Sequence, residues 1–213
     1  MKEISYSVLE VVKALSDKQV GKERLITAIA GPPASGKTTL AKHLISHYNQ
    51  QTEEIAALLP LDGFHLDNSL LAKAGLLARK GAPQTFDFWG FQALLSRVKD
   101  TKMPICYPTF DRSRDIAVAS SAVIKPETNI VIVEGNYLLL DIDPWCGLSH
   151  YFDHTVFIET PVDILRERLV KRWLTHGHNA DEALARANSN DIPNAVLTVE
   201  NRLAADQVIS NED

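Results

Sequence analysis

Leu25-Ile26-Thr27-Ala28-Ile29-Ala30-Gly31-Pro32-Pro33-Ala34-Ser35-Gly36-Lys37-Thr38 is the stretch that decides the fold. Its apolar first half reads as a short buried strand, and helix-compatible residues follow from 39 to 49. Between them, 31–38 has the order G-x-x-x-x-G-K-[ST], a strand-turn-helix signature with a mechanism behind it. Gly31 and Gly36 permit backbone angles and close approaches that a Cβ would block. Pro32 and Pro33, which carry no N–H, shape the turn, and the chain from Ala34 and Ser35 on to Thr39 can then point N–H groups inward around a phosphate. The following helix adds the positive end of its dipole. Lys37 can reach the outer phosphates of a nucleotide, and the Thr38 hydroxyl can ligate Mg²⁺.

Working outward, strand-like and helix-like stretches alternate, which predicts a mainly parallel sheet covered by helices. Ile4, Val8, Val11, Val12 and Leu15 form one stripe, predicting an N-terminal helix over about 4–20. Strands are expected at 55–61, 130–133 and 155–158. Helices are expected at 88–100, from Pro161 towards Thr175, at 181–187 and at 193–205. The last residues, 211–213, read as a frayed end. No repeat or linker divides the chain, so 1–213 reads as one domain.

Composition sets the outer limits. The 213 residues are 45% hydrophobic and 23% charged, an ordinary globular balance. A net charge of −5 gives no basic footprint for nucleic acid, so an anionic ligand needs a local positive site. Two cysteines, Cys106 and Cys146, make no disulfide framework, which fits a reducing compartment. No signal-peptide core and no apolar run near the ~18 residues of a membrane span are present. The expectation is a cytoplasmic protein.

Two strand ends carry acid. Leu61-Asp62-Gly63-Phe64-His65 follows the second strand, and in an open parallel sheet ligands sit beyond the carboxyl ends of the strands. Asp62 can accept the proton of an attacking hydroxyl there. Its other reading is a residue that only shapes the Asp-Gly turn. Val131-Ile132-Val133-Glu134-Gly135 ends a buried strand, so Glu134 can join Thr38 as a Mg²⁺ ligand. Arg168 and Arg172 share a helix face and could close over a nucleotide, or be a solvated charge run. No guanine-reading Asn-Lys-x-Asp segment is present.

With the cradle, the ordered set Asp62-Gly63-Phe64, Lys80-Gly81-Ala82-Pro83-Gln84-Thr85-Phe86-Asp87, Tyr107-Pro108-Thr109-Phe110-Asp111-Arg112 and Glu134-Gly135 resembles the P-loop kinases grouped around uridine kinase, phosphoribulokinase and bacterial pantothenate kinase. The resemblance spans about 25–172. It implies a three-layer α/β P-loop NTPase fold with a small helical lid at about 163–190. It implies ATP and Mg²⁺ as cofactors, Asp62 as the base, and Lys37 with lid arginines Arg168 and Arg172 around the transferred phosphoryl. His65, Arg79, Asp87, Tyr107, Asp111, Arg112 and Tyr137 would then face a small-molecule acceptor. Ala82 stands where uridine kinases have a histidine, which counts against uridine. The Gly-Ala-Pro-x-Thr-Phe-Asp segment is similar to sugar-kinase-like bacterial proteins, favouring a sugar or sugar-bearing acceptor over a nucleoside or pantothenate-like one. A homodimer would suit the family. A rival reading is an ATP-binding regulator that turns over little and signals to a protein partner.

The remaining signals are weaker. His43 and His47, and His150 and His154, have helical spacing but no acidic or cysteine partners in sequence for a metal. His176 and His178 flank Gly177 at the lid's end and read as solvent-exposed. Trp89, Trp145 and Trp173 read as packing residues. Asn188, Asn190, Asp191 and Asn194 leave two readings open. Asp191 could cap the helix after it, or the cluster could wall the acceptor site.

Overall fold

The computed structural model describes residues 2–51, 55–100 and 103–212. Five parallel strands form the central sheet, in the order β2-β5-β1-β6-β7. They are β1 (Leu25–Ala30), β2 (Ala56–Pro60), β5 (Ile130–Gly135), β6 (His154–Glu159) and β7 (Gln207–Ser210). Pairing is in register through Ile29 and Glu134, and through Pro60 and Glu134. The carboxyl ends of β1, β2 and β5 therefore finish level, and the chain leaves all three into one cleft.

Strand alternation makes two cores. Ile26, Ala28 and Ala30 of β1 point to one face with Val131, Val133 and Leu59. There they pack under Phe91, Leu94, Leu95 and Val98 of α4 (Phe88–Asp100). Leu25 and Ile29 point to the other face with Ile130, Ile132 and Val156. That face is covered by Val8, Val11 and Leu15 of α1 (Lys2–Gln19) and by Leu40, Ala41 and Leu44 of α2 (Lys37–Gln51). β1 and β5 are buried along their whole length, which explains their unbroken apolar reading. The result is the expected three-layer α/β arrangement.

A short helix, α3 (Asn68–Lys73), follows the turn after β2. Beside it stands an antiparallel hairpin of β3 (Ile105–Asp111) and β4 (Ile116–Ile124), outside the main sheet. The lid consists of α5 (Val162–Thr175) and α6 (Ala180–Arg186), with a π-helical segment at Ala187–Asp191 leading into α7 (Ile192–Glu200). Leu165, Leu169, Ala187, Ile192 and Ala195 give the lid a small core of its own, with Ala34 of the glycine-rich loop against it.

Two sequence expectations need correction. The helix expected over 193–205 ends at Glu200. Beyond it, Asp141 N–H donates to Asn201 O at 2.8 Å and Leu203 N–H to Leu139 O at 2.8 Å. These backbone pairs take hydrogen-bonding groups that further helix would need. The expected frayed end is also ordered at Asn211, whose N–H donates to Glu159 O at 2.9 Å as β7 joins the sheet beside β6. Asp213 lies outside the described residues. Among the described residues, no helix is long and apolar enough to cross a membrane.

Candidate active site

The loop from β1 to α2 turns through three residues with positive φ: Gly31 at 152°, Ala34 at 65° and Gly36 at 97°. A Cβ on Gly31 would lie 2.7 Å from Ile158 O, and one on Gly36 would lie 2.5 Å from Asn211 Nδ2. Glycine is therefore required at both positions. Pro32 O accepts a hydrogen bond from Lys37 Nζ at 2.7 Å. Ser35 is buried and its hydroxyl has no partner. Pro33 is half-buried, and Thr39 is exposed on the first turn of α2.

Asn211 fastens this loop from the far end of the chain. Its Nδ2 donates to Ser35 O at 2.7 Å. Arg168 on α5 donates to Ala34 O at 3.2 Å and to Asn211 O at 3.4 Å. The two lid arginines thus have different surroundings. Arg168 holds the loop's backbone, whereas Arg172 is half-buried near Asp62, Arg112 and Asp191.

Asp62 sits in a 3₁₀ turn, Leu61–Phe64, where β2 ends. Its Oδ2 accepts from Arg112 Nη2 at 2.7 Å, bringing the hairpin's turn onto it. Across the cleft, Thr38 Oγ1 lies 3.3 Å from both carboxylate oxygens of Glu134. Burial lowers Lys37 from 10.5 to about 8, opposed by Glu134 and then Asp62, while Arg172 and Arg112 reinforce it. Burial likewise raises Glu134, with Asp62 adding to the effect. Burial and then Arg112 lower Arg172. Lys37, Asp62, Arg112, Glu134 and Arg172 therefore act as one electrostatic cluster. With three cations and two carboxylates, it favours an added anion.

The expected acceptor residues separate into three groups. His65 lies at the cleft, its ring 4.1 Å from Phe86 and 4.8 Å from Phe110. Its Nδ1–H donates to Asp62 O at 2.8 Å, and burial lowers its pKa, so Nε2 is the bare acceptor of a neutral ring. Arg79 and Asp87 line a neighbouring cavity of about 750 Å³. Asp87 also accepts the Gly90 N–H at 2.9 Å, at the start of α4. Arg112 is on Asp62, and the other three are engaged elsewhere. Tyr137 is fully buried and donates to Gly81 O at 2.6 Å. Tyr107 is buried and donates to Leu58 O at 2.6 Å. Asp111 accepts from Ser113 and Arg114 in the hairpin turn, which holds its carboxyl far below the usual range. These two tyrosines shape the wall from behind, and Asp111 shapes the hairpin.

The sequence reading missed several contributors. Lys80 Nζ donates to Asn68 Oδ1 and Asp115 O, both at 2.7 Å, and lies 5.0 Å from the centre of the Phe110 ring. It ties α3, the hairpin and the 80–87 segment together. Of the two readings of 188–194, the structure supports the wall. Asn190 Nδ2 donates to Lys80 O at 2.8 Å, and Asn194 Oδ1 accepts from Arg79 at 3.4 Å. Asp191 makes no side-chain cap and instead accepts from Trp173 Nε1 at 2.6 Å. Trp145 packs in the core as expected, but Trp89 is 68% exposed at the cavity's rim. Only distant pairing in space, not local spacing, brings these groups together.

These residues fit a nucleotide with Mg²⁺. A loop that a Cβ would obstruct, a buried serine hydroxyl without a partner and a buried lysine suit phosphates. Among the described residues no cluster of three or more His, Cys, Asp or Glu could cage a metal. Mg²⁺ is ordinarily bound through one or two carboxylates plus phosphate oxygens, which Thr38 and Glu134 could complete.

The comparisons agree with this geometry. Residues 26–210 match the model of the Phosphoribulokinase / Uridine kinase family. A solved "putative fructose transport system kinase" from Silicibacter sp. TM1040 is 43% identical, with a TM-score of 0.89 over 95% of this chain and 98% of that one. The uncharacterised protein YggC of Escherichia coli (strain K12) is 34% identical over 190 residues, 88% of this chain and 78% of that protein. The ATP-dependent kinase-like protein notR′ of Aspergillus versicolor is 34% identical over 159 residues, 70% of this chain and 92% of that protein. On a match over most of its length, the chain belongs to the phosphoribulokinase/uridine kinase family.

Proposed function

We propose that the protein is an ATP-dependent kinase that phosphorylates a hydroxyl of a small metabolite, with a sugar or sugar-bearing compound favoured. The observation that carries this reading is the level placement of two acids at the glycine-rich loop: Asp62 directly after β2, ion-paired to Arg112 at 2.7 Å, and Glu134 at the end of β5, 3.3 Å from Thr38 Oγ1. A cradle suited to phosphates and a carboxylate able to take a hydroxyl proton open into one cleft.

In this reading the main chain of the 31–38 loop and Lys37 hold the triphosphate. Thr38 and Glu134 hold Mg²⁺, which would neutralise phosphate charge. Asp62 takes the proton of the acceptor hydroxyl or orients it towards the transferred group. Arg112 and Arg172 add positive charge where the loose transition state spreads its own. Arg168 keeps the loop's shape through Ala34 O. Closure of α5 and α6 would exclude water, limiting wasteful hydrolysis. The name of the 43% identical structure, a fructose transport system kinase, supports the sugar preference.

A coupled ADP-release assay with Mg²⁺·ATP across sugars, polyols, nucleosides and pantothenate tests the reading. Release that rises strongly with one compound is the expected result. Nucleotide binding without release from any acceptor would count against it.

A further inference from the structure

Arg79 is a cation without an acidic partner. Its guanidinium donates to Ser189 O at 2.8 Å and to Asn194 Oδ1 at 3.4 Å, both neutral acceptors. Among the described residues no carboxylate lies within ion-pair distance of it. Asn194 is itself buried and fixed, its Nδ2 donating to Asn190 Oδ1 at 3.3 Å. The guanidinium is therefore held in place on the wall of the 750 Å³ cavity while keeping donors to spare.

The cavity adjoins the transfer cleft. Leu66 and Phe86 line it, and Leu66 N–H donates to Thr85 O directly after the Asp62 turn. Phe86 stacks on His65, which is bonded to Asp62 O. Tyr137, its ring 5.7 Å from Phe86, donates to Gly81 O two residues beyond Arg79. The rest of the lining is largely apolar, with Trp89, Trp145 and Leu197 prominent. A volume near 750 Å³ exceeds what glycerol or a bare triose would fill.

We propose that Arg79 binds a carboxylate of the acceptor, so that the acceptor is a hydroxy acid, a sugar acid being the form that keeps the sugar preference above. This rests on the kinase reading above. The hydroxyl end lies at Asp62, the carbon body lies along the aromatic wall, and the carboxylate meets the planar guanidinium fork. A carboxylate suits the site better than a phosphate monoester. Among the described residues Arg79 is the one cation on the cavity lining, and Asp87 and Asp143 share that lining and would oppose a dianion.

The test uses matched acids and alcohols that differ by carboxylate against CH₂OH: D-gluconate with sorbitol, and pantothenate with pantothenol. Fructose and a sugar phosphate run beside them. ADP release is followed for the intact protein, Arg79→Gln and Arg79→Lys. One acid is expected to exceed its alcohol in kcat/KM by about 10-fold or more, the scale of one charge-assisted hydrogen-bonded pair. Arg79→Gln is expected to bring that ratio towards one with KM for ATP unchanged, and Arg79→Lys to restore part of it. A merely structural role would not move the ratio. Preference for a neutral compound or for the sugar phosphate, or a ratio unchanged in Arg79→Gln, overturns the assignment and leaves the kinase standing. Release with no compound overturns the kinase reading and this assignment with it.

Discussion

Arg112 Nη2 lies 2.7 Å from Asp62 Oδ2, so the turn of the β3–β4 hairpin is ion-paired to the carboxylate at the end of β2. Arg112 is half exposed and Asp62 a quarter exposed. Exposed pairs of this kind contribute at most about 1 kcal/mol to stability. Arg112→Ala is therefore expected to shift the urea midpoint little while lowering kcat about 10- to 100-fold, through lost charge at the transferred group. Paired urea melts and initial rates decide. A large stability loss with activity intact would make Arg112 a hairpin latch only.

Lys37 gives a pH dependence with a definite sign. Burial lowers it from 10.5 to about 8 in the folded chain. Between those values the unfolded chain binds more protons, so this group makes stability rise with pH across the window. Nucleotide affinity should move the other way, falling above about pH 8 as the ammonium is lost. Lys37→Arg keeps its charge and should flatten that fall. Nucleotide titrations from neutral pH to about 10 measure it.

Glu134 is buried at 6% exposure, and burial followed by Asp62 raises its pKa. A raised carboxylate adds stability below its unfolded value of 4.5 and loses it as pH rises through the folded value. At neutral pH the buried charge is a cost, so Glu134→Gln should leave the melting temperature equal or higher. The same change should weaken the Mg²⁺ dependence of nucleotide binding about 10-fold or more. Calorimetry and Mg²⁺ titration read the two effects separately.

Asn211 holds Ser35 O at 2.7 Å and occupies the space beside Gly36. Asn211→Ala removes that hydrogen bond, worth about 1 kcal/mol. Nucleotide Kd should rise about 3- to 10-fold, with kcat at saturating nucleotide nearly unchanged. An unchanged Kd would show that the loop keeps its shape without the clamp.

The cradle was legible because its residues are contiguous and each has a task that spacing alone reveals. Asp62 and Glu134 were legible because acids ending buried strands stand out against apolar runs. Asn211 was not. It follows a strand of four residues, half-buried in alternation, that pairs in parallel with β6, some fifty residues away in sequence. Such pairing leaves no local signal. The family resemblance alone points Tyr107 and Tyr137 towards the acceptor, and local sequence does not show what their hydroxyls bond. Their partners, Leu58 O and Gly81 O, are 49 and 56 residues away. The wall formed by Arg79, Asn190 and Asn194 depends on α7 folding back across the cleft, so only its polar composition was visible beforehand.

The most direct test of the central claim is Asp62→Asn, which keeps the side chain's size and removes its charge and basicity. Nucleotide affinity and acceptor-dependent ADP release are measured on the same preparation. The kinase account expects affinity to stay within about 3-fold and release to fall by about 10²- to 10⁴-fold, the range for a positioned base. Release that survives the substitution undiminished would contradict the account.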